Sequence, residues 1–471
     1  MAQATTINGA VNEAARSAGA ARDNAAAAGI GPSATREKFL PITRYALLDR
    51  LTLERSWPDG DAAQARRFLR YLDHWRRHSY SADLLELEQT YEPFSPDSDL
   101  LTTRTFTPEE RLVMQKRLVE QMTRLLKQAN FERVDPSDVK VILTQGSAYG
   151  LDLYVDLHAF EEILIFYRGA TVTTERRRSA KKLFLWHEVV ETPIFKRLFI
   201  LFKLKPSEAR VREVMAEQRV DRKEAERIVK RLRGVLPAAV KSDLIYMKLF
   251  KNIPRSDVEM IFPNTKVRFR LFDKIKFGVT ASSGLGMGVI GTAGKVALVS
   301  TNPIALVGAL IGLGGVAARQ ASNFINQRNR YMVVMAQNLY FHAIADNRGV
   351  MILLADRAAE EDVKEDMLLY SVLAKERTNV RDLRAIDQAI EQYLKEAFDL
   401  DVDFDVDDAL RRLKADGIVT EAADGTLETL PPREAALRVD QLWDSCLDNL
   451  PDPPRAEGLE FNGSTGGPVT R

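Results

Sequence analysis

The first part of the chain has apolar residues at helical spacing. From Arg36 to about Asn130, stretches such as REKFLPITRYALLDRL repeat apolar positions every three to four residues and predict core helices. A further helix is predicted to begin after Thr107, because Thr107 and Glu110 three residues later have the spacing of a capping box and Pro108 stands at the first helical position. This part is therefore expected to be helical.

The pattern then changes to short runs of β-branched and aromatic residues. Between Val139 and Phe262 these runs are KVILT, LYVDL, EILIFYRG, FKRLFILFKL, DLIYMKLF and VEMIFP. Their alternation, with turn residues between them, predicts six short strands in a mixed or antiparallel sheet. Two helices broken near Val220, the second capped by Asp221, are expected to interrupt them. The region is predicted to be a small α/β unit.

A long apolar stretch follows, from Phe277 to Ala318, and its only charge is Lys295. A helix needs about 20 mostly apolar residues to cross a bilayer core of about 30 Å, which residues 277–299 could provide. A second, shorter apolar helix would begin at Ile304. The flanks on both sides are basic, which favours both ends on the same face of a membrane. The stretch therefore predicts a transmembrane hairpin.

Glycines give this predicted hairpin a packing surface. Gly284 with Gly288, and Gly308 with Gly312, stand at GxxxG spacing. Small residues four apart let two helix backbones approach closely, so these four are the predicted helix-packing residues. The alternative is a glycine-rich helical hairpin buried inside a soluble domain, since Gly and Ala favour membrane insertion only weakly.

Helical periodicity returns after the apolar stretch. Three helices are predicted at Met367 to Leu373, Val380 to Phe398 and Val406 to Leu413, and a strand hairpin is expected to turn at Asp424 and Gly425. Three helices followed by a two-stranded wing are typical of a winged helix.

The predicted fold class is an α+β membrane protein with a helical N-terminal part, a small mixed α/β region, a glycine-rich transmembrane hairpin and a C-terminal winged-helix-like domain. The predicted division is 1–35 (disordered tail), 36–135 (helical region), 136–276 (basic α/β region), 277–318 (transmembrane hairpin), 319–355 (helical connector), 356–450 (acidic winged-helix-like domain) and 451–471 (disordered tail).

Charge is polarised along the 471 residues although the formal net charge is only +1. Residues 160–276 hold 28 Lys and Arg against 15 Asp and Glu, whereas residues 356–450 hold 12 against 25. An acidic surface is repelled by nucleic-acid phosphates. The acidic end is therefore expected to contact protein, within the chain or in a partner, and nucleic acid is disfavoured as a partner.

One motif could bind a metal. His187, Glu188 and Glu191 form HEVVE, which has the first half of the zincin motif but a glutamate where the second histidine should stand. These three residues are the candidate metal ligands. The competing interpretation is a polar turn that joins two strands.

Other candidates have ordinary structural explanations. His74 and His78 have the spacing of a ligand pair on a helix, but arginines surround them. His342 and Asp346 share that spacing, for which a hydrogen bond at a helix end is expected. The run GLGMGVIG lacks the βαβ context of a dinucleotide site. The single cysteine, Cys446, fits a reducing compartment and excludes an intramolecular disulfide. No catalytic residue and no cofactor is predicted.

Several stretches resemble the transmembrane protein 143 family, which contains a domain of unknown function. They are REKFLPITRYALLDRL, KLFKNIPRSDVEMIFPNTKVRFRLFDKIKFG, YFHAIADNRGVMILLADRAAEEDVKEDMLLY and the acidic winged-helix-like end, so that the resemblance covers roughly Arg36 to Leu450. The resemblance implies an integral membrane protein and no activity. A bacterial inner membrane is the expected location, or an organelle membrane in a eukaryote.

The function expected from these features is a non-enzymatic, membrane-anchored adaptor or regulator. Its expected partners are the lipid bilayer and either a protein partner or a second copy of the chain. Two alternatives stay open: a metal-dependent membrane enzyme that uses HEVVE, and a membrane-tethered DNA-binding regulator.

Overall fold

The structure is a computed structural model. It describes residues 36–448 apart from 59, 100–105, 135–150, 179–186, 235, 238, 255–257, 259–260, 264–265 and 270–338. The chain divides into two units, which we call unit 1 (residues 1–132 and 347–471) and unit 2 (residues 133–346). Unit 1 thus combines sequence from both ends of the chain.

The helices in chain order are α1 (Arg44–Leu51), α2 (Asp61–Tyr91), α3 (Pro108–Gln128), α4 (Ser207–Gln218), α5 (Arg222–Arg233), α6 (Asn347–Leu373), α7 (Leu383–Phe398), α8 (Val406–Ala415) and α9 (Pro432–Asp444). The strands are β1 (Glu132–Arg133), β2 (Leu151–Tyr154), β3 (Phe160–Arg178), β4 (His187–Leu204), β5 (Ile245–Pro254), β6 (Lys266–Phe269), β7 (Ala343–Asp346), β8 (Thr378–Asn379), β9 (Val419–Glu421) and β10 (Thr426–Thr429).

The centre of unit 1 is helix α6, in which every residue from Glu361 to Leu373 is buried. A helix buried on all sides must lie among other elements, and here α2 supplies one wall. The fully buried Phe68 of α2 packs against the fully buried Tyr370 of α6, with ring centroids 4.3 Å apart. The first and last parts of the sequence therefore share one hydrophobic core.

The last part of unit 1 has the topology of a winged helix. The end of α6 is followed by β8, α7, α8 and the hairpin β9–β10, and the three strands form an antiparallel sheet in the order β8–β10–β9. The predicted turn at Asp424 and Gly425 is confirmed: the amide of Thr426 donates to the Asp424 carboxylate at 2.9 Å, and Gly425 has φ +81°. The first helix is longer than predicted, because α6 begins at Asn347 and not at Met367.

Unit 2 contains a sheet in which β3–β4, β4–β5 and β5–β7 pair antiparallel, within the predicted mixed or antiparallel arrangement. The five strands of this sheet have the order β1–β3–β4–β5–β7, and β3 and β4 form a long hairpin. The prediction of six short strands is wrong for β3 and β4, which have 19 and 18 residues, and the strand predicted at LYVDL pairs with β6 in a separate two-stranded sheet. Helices α4 and α5 lie between β4 and β5 in the chain, and the predicted cap of α5 is confirmed because Asp221 accepts from the amide of Glu224 at 3.0 Å. The strand predicted at VEMIFP is wrong: Val258 and Ile261 lie in short helical turns beyond β5. The strand predicted at KVILT lies outside the described residues.

The predicted membrane class is corrected. Within the described parts of the chain, no helix combines the length and the apolar character that a bilayer crossing demands. The long helices α2 and α6 interrupt their apolar runs with charges, as in EEDVKED. The described helices and sheets form a mixed α/β fold, and nothing in them supports the predicted location in a bacterial inner membrane or an organelle membrane. The hairpin expected at 277–318 lies outside the described residues, as do Gly284, Gly288, Gly308 and Gly312.

Truncating Phe68 tests whether the two ends of the chain share one core. Phe68→Ala should lower the free energy of unfolding of unit 1 by about 3–5 kcal/mol, because it leaves a cavity beside Tyr370. Chemical denaturation followed by circular dichroism measures the change. Leu85→Ala on the same helix is the control, since Leu85 is 63% exposed, and should change that free energy by no more than about 0.5 kcal/mol. Equal effects of the two variants would contradict the shared core.

Candidate functional site

The third helix of the winged helix, α8, carries three basic residues, and each is paired with a carboxylate of unit 1. Arg411 contacts Asp408 at 2.6 Å on the surface, and Lys414 pairs with Glu421 of the wing. Arg412 points inward. In a winged helix that binds DNA, this helix presents its cations to phosphates and bases. Here those cations are neutralised by the chain itself.

Arg412 enters a buried charge network, which we define as Arg76, Asp362, Glu365, Asp366, Arg412 and Asp416. Its guanidinium donates to Asp366 at 2.9 Å and to Glu365 at 2.7 Å, and lies 3.1 Å from Asp362. These three carboxylates lie on α6. Because a guanidinium forms a planar fork of donors, one arginine can join several carboxylates of a single helix. The network thereby fixes α8 against α6.

A second arginine closes the network from α2. Arg76 donates through Nε to the other oxygen of Asp366 at 2.7 Å, and a terminal nitrogen lies 2.6 Å from Asp416. Asp416 also accepts from the indole of Trp75 at 3.1 Å. Asp366 is fully buried, so that its carboxylate joins α2 and α8 through α6. This arrangement positions the winged helix on the long helices of unit 1.

The network holds four carboxyl groups and only two guanidinium groups. Burial disfavours the charged form of a carboxyl group, and it raises the pKa of Glu365 to about 8, although Arg412 opposes the shift. Burial likewise raises the pKa of Asp362 to about 6, again against Arg412. Tyr80 donates to Asp362 at 2.7 Å. The excess carboxyl groups are therefore proton-binding groups near neutral pH.

The outer surface of the winged helix is acidic. From the C-cap of α7 to the first turn of α8, in the sequence DLDVDFDVD, aspartates alternate with residues that turn inward. The exposed aspartates, which we call the acidic ridge, are Asp399, Asp401, Asp403, Asp405 and Asp407. Val402, Phe404 and Val406 between them are buried in the core. The alternation keeps every second side chain in solvent and forms a row of like charges.

Nearby groups respond to this row of charges. Burial, together with the charges of Glu391 and Asp403, raises the pKa of Asp387 to about 7. A cation close to these groups is Arg36, which donates to Asp401 and to Glu391, both at 2.8 Å. The ridge is therefore a surface of negative potential that favours a cationic partner.

The predicted metal ligands of HEVVE lie on a strand. His187, Glu188 and Glu191 belong to β4, opposite Arg178, Arg177 and Thr174 of β3. A strand rises about 3.3 Å per residue, which separates the backbones of His187 and Glu191 by about 13 Å, whereas the zincin motif needs one turn of helix. The polar turn proposed as the alternative is not found either. The side chains of this segment lie outside the described part, so the metal hypothesis stays a prediction.

The remaining histidines have structural surroundings. His74 is exposed, and His78 packs against Trp443 with ring centroids 5.0 Å apart. His342 lies 2.7 Å through Nδ1 from the carbonyl of Lys251, a contact to a strand and not the helix-end bond expected with Asp346. Cys446 is half-buried. Among the side chains that the structure describes, no three His, Cys, Asp or Glu residues are arranged to hold a metal ion.

Fold and surface together define a mixed α/β protein in which one unit ends in an acidic winged helix. Residues 160–349 match the model of a family described as a protein of unknown function, DUF3754. The match supports a domain of unknown function, and nothing supports the transmembrane protein 143 family named by the resemblance. No solved structure matches the chain. The matched residues lie largely in unit 2, so the match assigns no role to the winged helix of unit 1.

Sequence reasoning did not identify the buried charge network. The signal was present in EEDVKED, a charged run in α6 that has apolar segments of the same helix on both sides. The sequence analysis counted this run only as part of the acidic end, and a charged run does not by itself indicate burial, because charged residues are rarely buried. The acidic ridge was visible as charge, but its alternation with buried residues depended on knowing where the core lies.

Removing the central carboxylate should destabilise unit 1 strongly. Asp366→Ala leaves Arg76 and Arg412 buried without their shared partner, and we expect a loss of about 3–5 kcal/mol in the free energy of unfolding. Asp408→Ala, which removes an exposed pair with Arg411, is the control and should cost less than about 1 kcal/mol. Urea titrations of both variants measure the difference, and a loss at Asp366 no larger than that at Asp408 would argue against the network.

The excess carboxyl groups should make stability depend on pH. Because the pKa of Glu365 is raised from 4.5 to about 8 on folding, the folded state binds more protons than the unfolded state between these values. The contribution of Glu365 to the free energy of unfolding should therefore be greatest below about pH 4.5. It should fall as pH rises toward 8, by up to about 1.4 kcal/mol per pH unit for each proton.

Glu365→Gln isolates this contribution, since a neutral amide does not titrate. The free energy of unfolding, measured from pH 5 to 8.5, should fall less steeply in this variant than in the original chain. Glu434→Gln on the exposed surface of α9 serves as the control and should leave the slope unchanged. Parallel slopes in all three proteins would contradict the assignment to Glu365.

Proposed function

We propose that the chain is a non-enzymatic adaptor or regulator that binds a basic protein segment through the acidic ridge of its winged helix. The observation that carries this proposal is the placement of charge on the winged helix. Its aspartates face solvent, while the basic residues of α8 are paired within unit 1.

The same placement opposes the use of the winged helix to bind DNA. Affinity for a duplex comes largely from Lys and Arg that neutralise phosphates. Arg412 would have to leave three buried carboxylates to reach a phosphate. Exposed Asp407 stands on the outward side of α8, where a duplex would approach. A cationic polypeptide is instead attracted to the ridge, above all to Asp403 and Asp407, since Asp401 already accepts from Arg36 and Asp405 caps α8.

The length of the ridge favours an extended partner. Asp401, Asp403 and Asp405 recur at every second residue between the two helices, and Asp399 at the end of α7 and Asp407 in the first turn of α8 continue the ridge on either side. An extended peptide also presents alternate side chains toward one face, so Lys and Arg at every second position could face successive aspartates. The attraction would be strong at low salt and screened at an ionic strength where the Debye length is about 8 Å.

Neutralising two ridge residues tests this function in the full chain. Asp403 and Asp407 are suitable because neither side chain has a described bond that supports the fold. The variant Asp403→Asn/Asp407→Asn should bind a fluorescein-labelled oligolysine peptide roughly two- to thirtyfold more weakly at low salt, from the usual strength of exposed ion pairs. Fluorescence anisotropy measures the binding.

Glu434→Gln/Asp440→Asn is the matched control, because it removes two exposed charges from α9 of the same unit. It should leave the affinity for the peptide unchanged. A labelled DNA duplex is titrated in parallel and should bind weakly to all three proteins. The proposal fails if both double variants weaken the peptide equally, or if the duplex binds more tightly than the peptide.

A further inference from the structure

A cleft in unit 1 has the opposite charge to the acidic ridge. It lies where α1 packs beside α2 and has a volume of about 470 Å³. Four arginines line it, together with one histidine and one aspartate: Arg44, Arg66, Arg70, Asp73, His74 and Arg77. We propose that this cleft, the basic cleft, binds a small molecule that carries two or more phosphate groups.

Helical spacing places four of the lining residues on one face of α2. Arg66, Arg70 and His74 stand four apart, and Arg77 follows three residues later. Residues three and four apart are neighbours on a helix surface, so the four side chains form a row. The opposite face of α2 is buried in the core through residues such as Phe68 and Leu72, both fully buried.

One carboxylate lines the cleft, and it holds two of the arginines in place. Asp73 lies 3.0 Å from Nε of Arg44 and 3.2 Å from Nε of Arg77. Arg44 also donates to the hydroxyl of Tyr45 at 2.7 Å. Asp49 and Asp356 contact Arg66 and Arg77 as well, so the four guanidinium groups face three carboxylates and one positive charge remains in excess. Arginines oriented in this way before a ligand binds lose little entropy on binding.

Arg70 is the residue with spare capacity. It is exposed, and it has no ion pair within the described part of the chain, whereas Arg66 contacts Asp49 and Arg77 also contacts Asp356. A guanidinium matches the geometry of a phosphate with two parallel hydrogen bonds. His74 lies one turn further along the row and adds an imidazole N–H donor to the lining.

The spacing of the row favours more than one phosphate group. Helix α2 rises about 1.5 Å per residue, so the arginines from Arg66 to Arg77 extend over about 16 Å. A single phosphate would meet one or two of them. The cleft volume lies within the range of small-molecule sites, about 300–1,000 Å³. The exposed carboxylates of Asp49 and Asp356, which contact Arg66 and Arg77, oppose a long polyanion such as a duplex.

The test uses inorganic tripolyphosphate and the full-length chain. Isothermal titration calorimetry should find one site, and the ligand should raise the thermal midpoint because it binds the folded state. Arg70→Gln should weaken binding by at least about tenfold, from the usual value of a hydrogen bond to a charged group. Arg70→Lys keeps the charge but loses the planar fork, so its affinity for tripolyphosphate should lie between those of the unsubstituted protein and Arg70→Gln.

Arg67→Gln is the matched control. Arg67 is exposed on the same helix, packs against the ring of Tyr71 and does not line the cleft, and its loss changes the net charge by the same amount. Its affinity for tripolyphosphate should equal that of the original chain. Equal weakening by Arg67→Gln and Arg70→Gln, or no binding at millimolar ligand, would overturn the proposal.

A second arm separates a small ligand from larger polyanions. A labelled DNA duplex and a polyglutamate peptide are titrated against the same proteins. If either binds more tightly than tripolyphosphate and loses affinity in Arg70→Gln, the cleft serves a macromolecule and the proposal is wrong. These results are independent of the peptide binding at Asp403 and Asp407, which lie on a different surface element of unit 1.

Discussion

The carboxylate of Asp366 accepts from Arg76 through one oxygen and from Arg412 through the other, with no exposure to solvent. Arg76 and Asp366 are 290 positions apart in the sequence. A buried carboxylate is stable only when charged donors compensate its lost hydration, so α2, α6 and α8 must assemble together. The winged helix is for this reason a part of unit 1, and the ion pairs of Arg412 with α6 fix the position of its third helix, α8.

This constraint also decides what the winged helix can present to a partner. The same guanidinium cannot neutralise buried carboxylates and contact a phosphate outside, and Arg412 has three carboxylates within 3.1 Å. The surface that remains on α8 and before it is dominated by aspartates, each set outward by a buried neighbour such as Phe404. The burial of Arg412 and of the residues between the aspartates therefore leaves a negatively charged outer surface on this domain.

Local signals in the sequence predicted local structure well. The capping box of Thr107 and Glu110, the cap at Asp221 and the turn at Gly425 all depend on residues within a few positions of one another. Long-range pairing was not accessible in that way. The charged run in α6 is buried because two distant arginines meet it, and HEVVE lies on a strand because β3 pairs with β4 over their whole lengths. Neither partner can be found from the periodicity of one segment.

The two adjacent arginines Arg76 and Arg77 show how one helix serves both the interior and the surface. Successive residues of an α-helix point about 100° apart. Arg76 consequently turns into the core, where it meets Asp366 and Asp416, while Arg77 turns toward the basic cleft and Asp73. A rotation of α2 that exposed Arg76 would break the buried network, and it would at the same time withdraw Arg77 from the cleft. The geometry of the proposed phosphate site is thus tied to the stability of unit 1, since the same helix position fixes both.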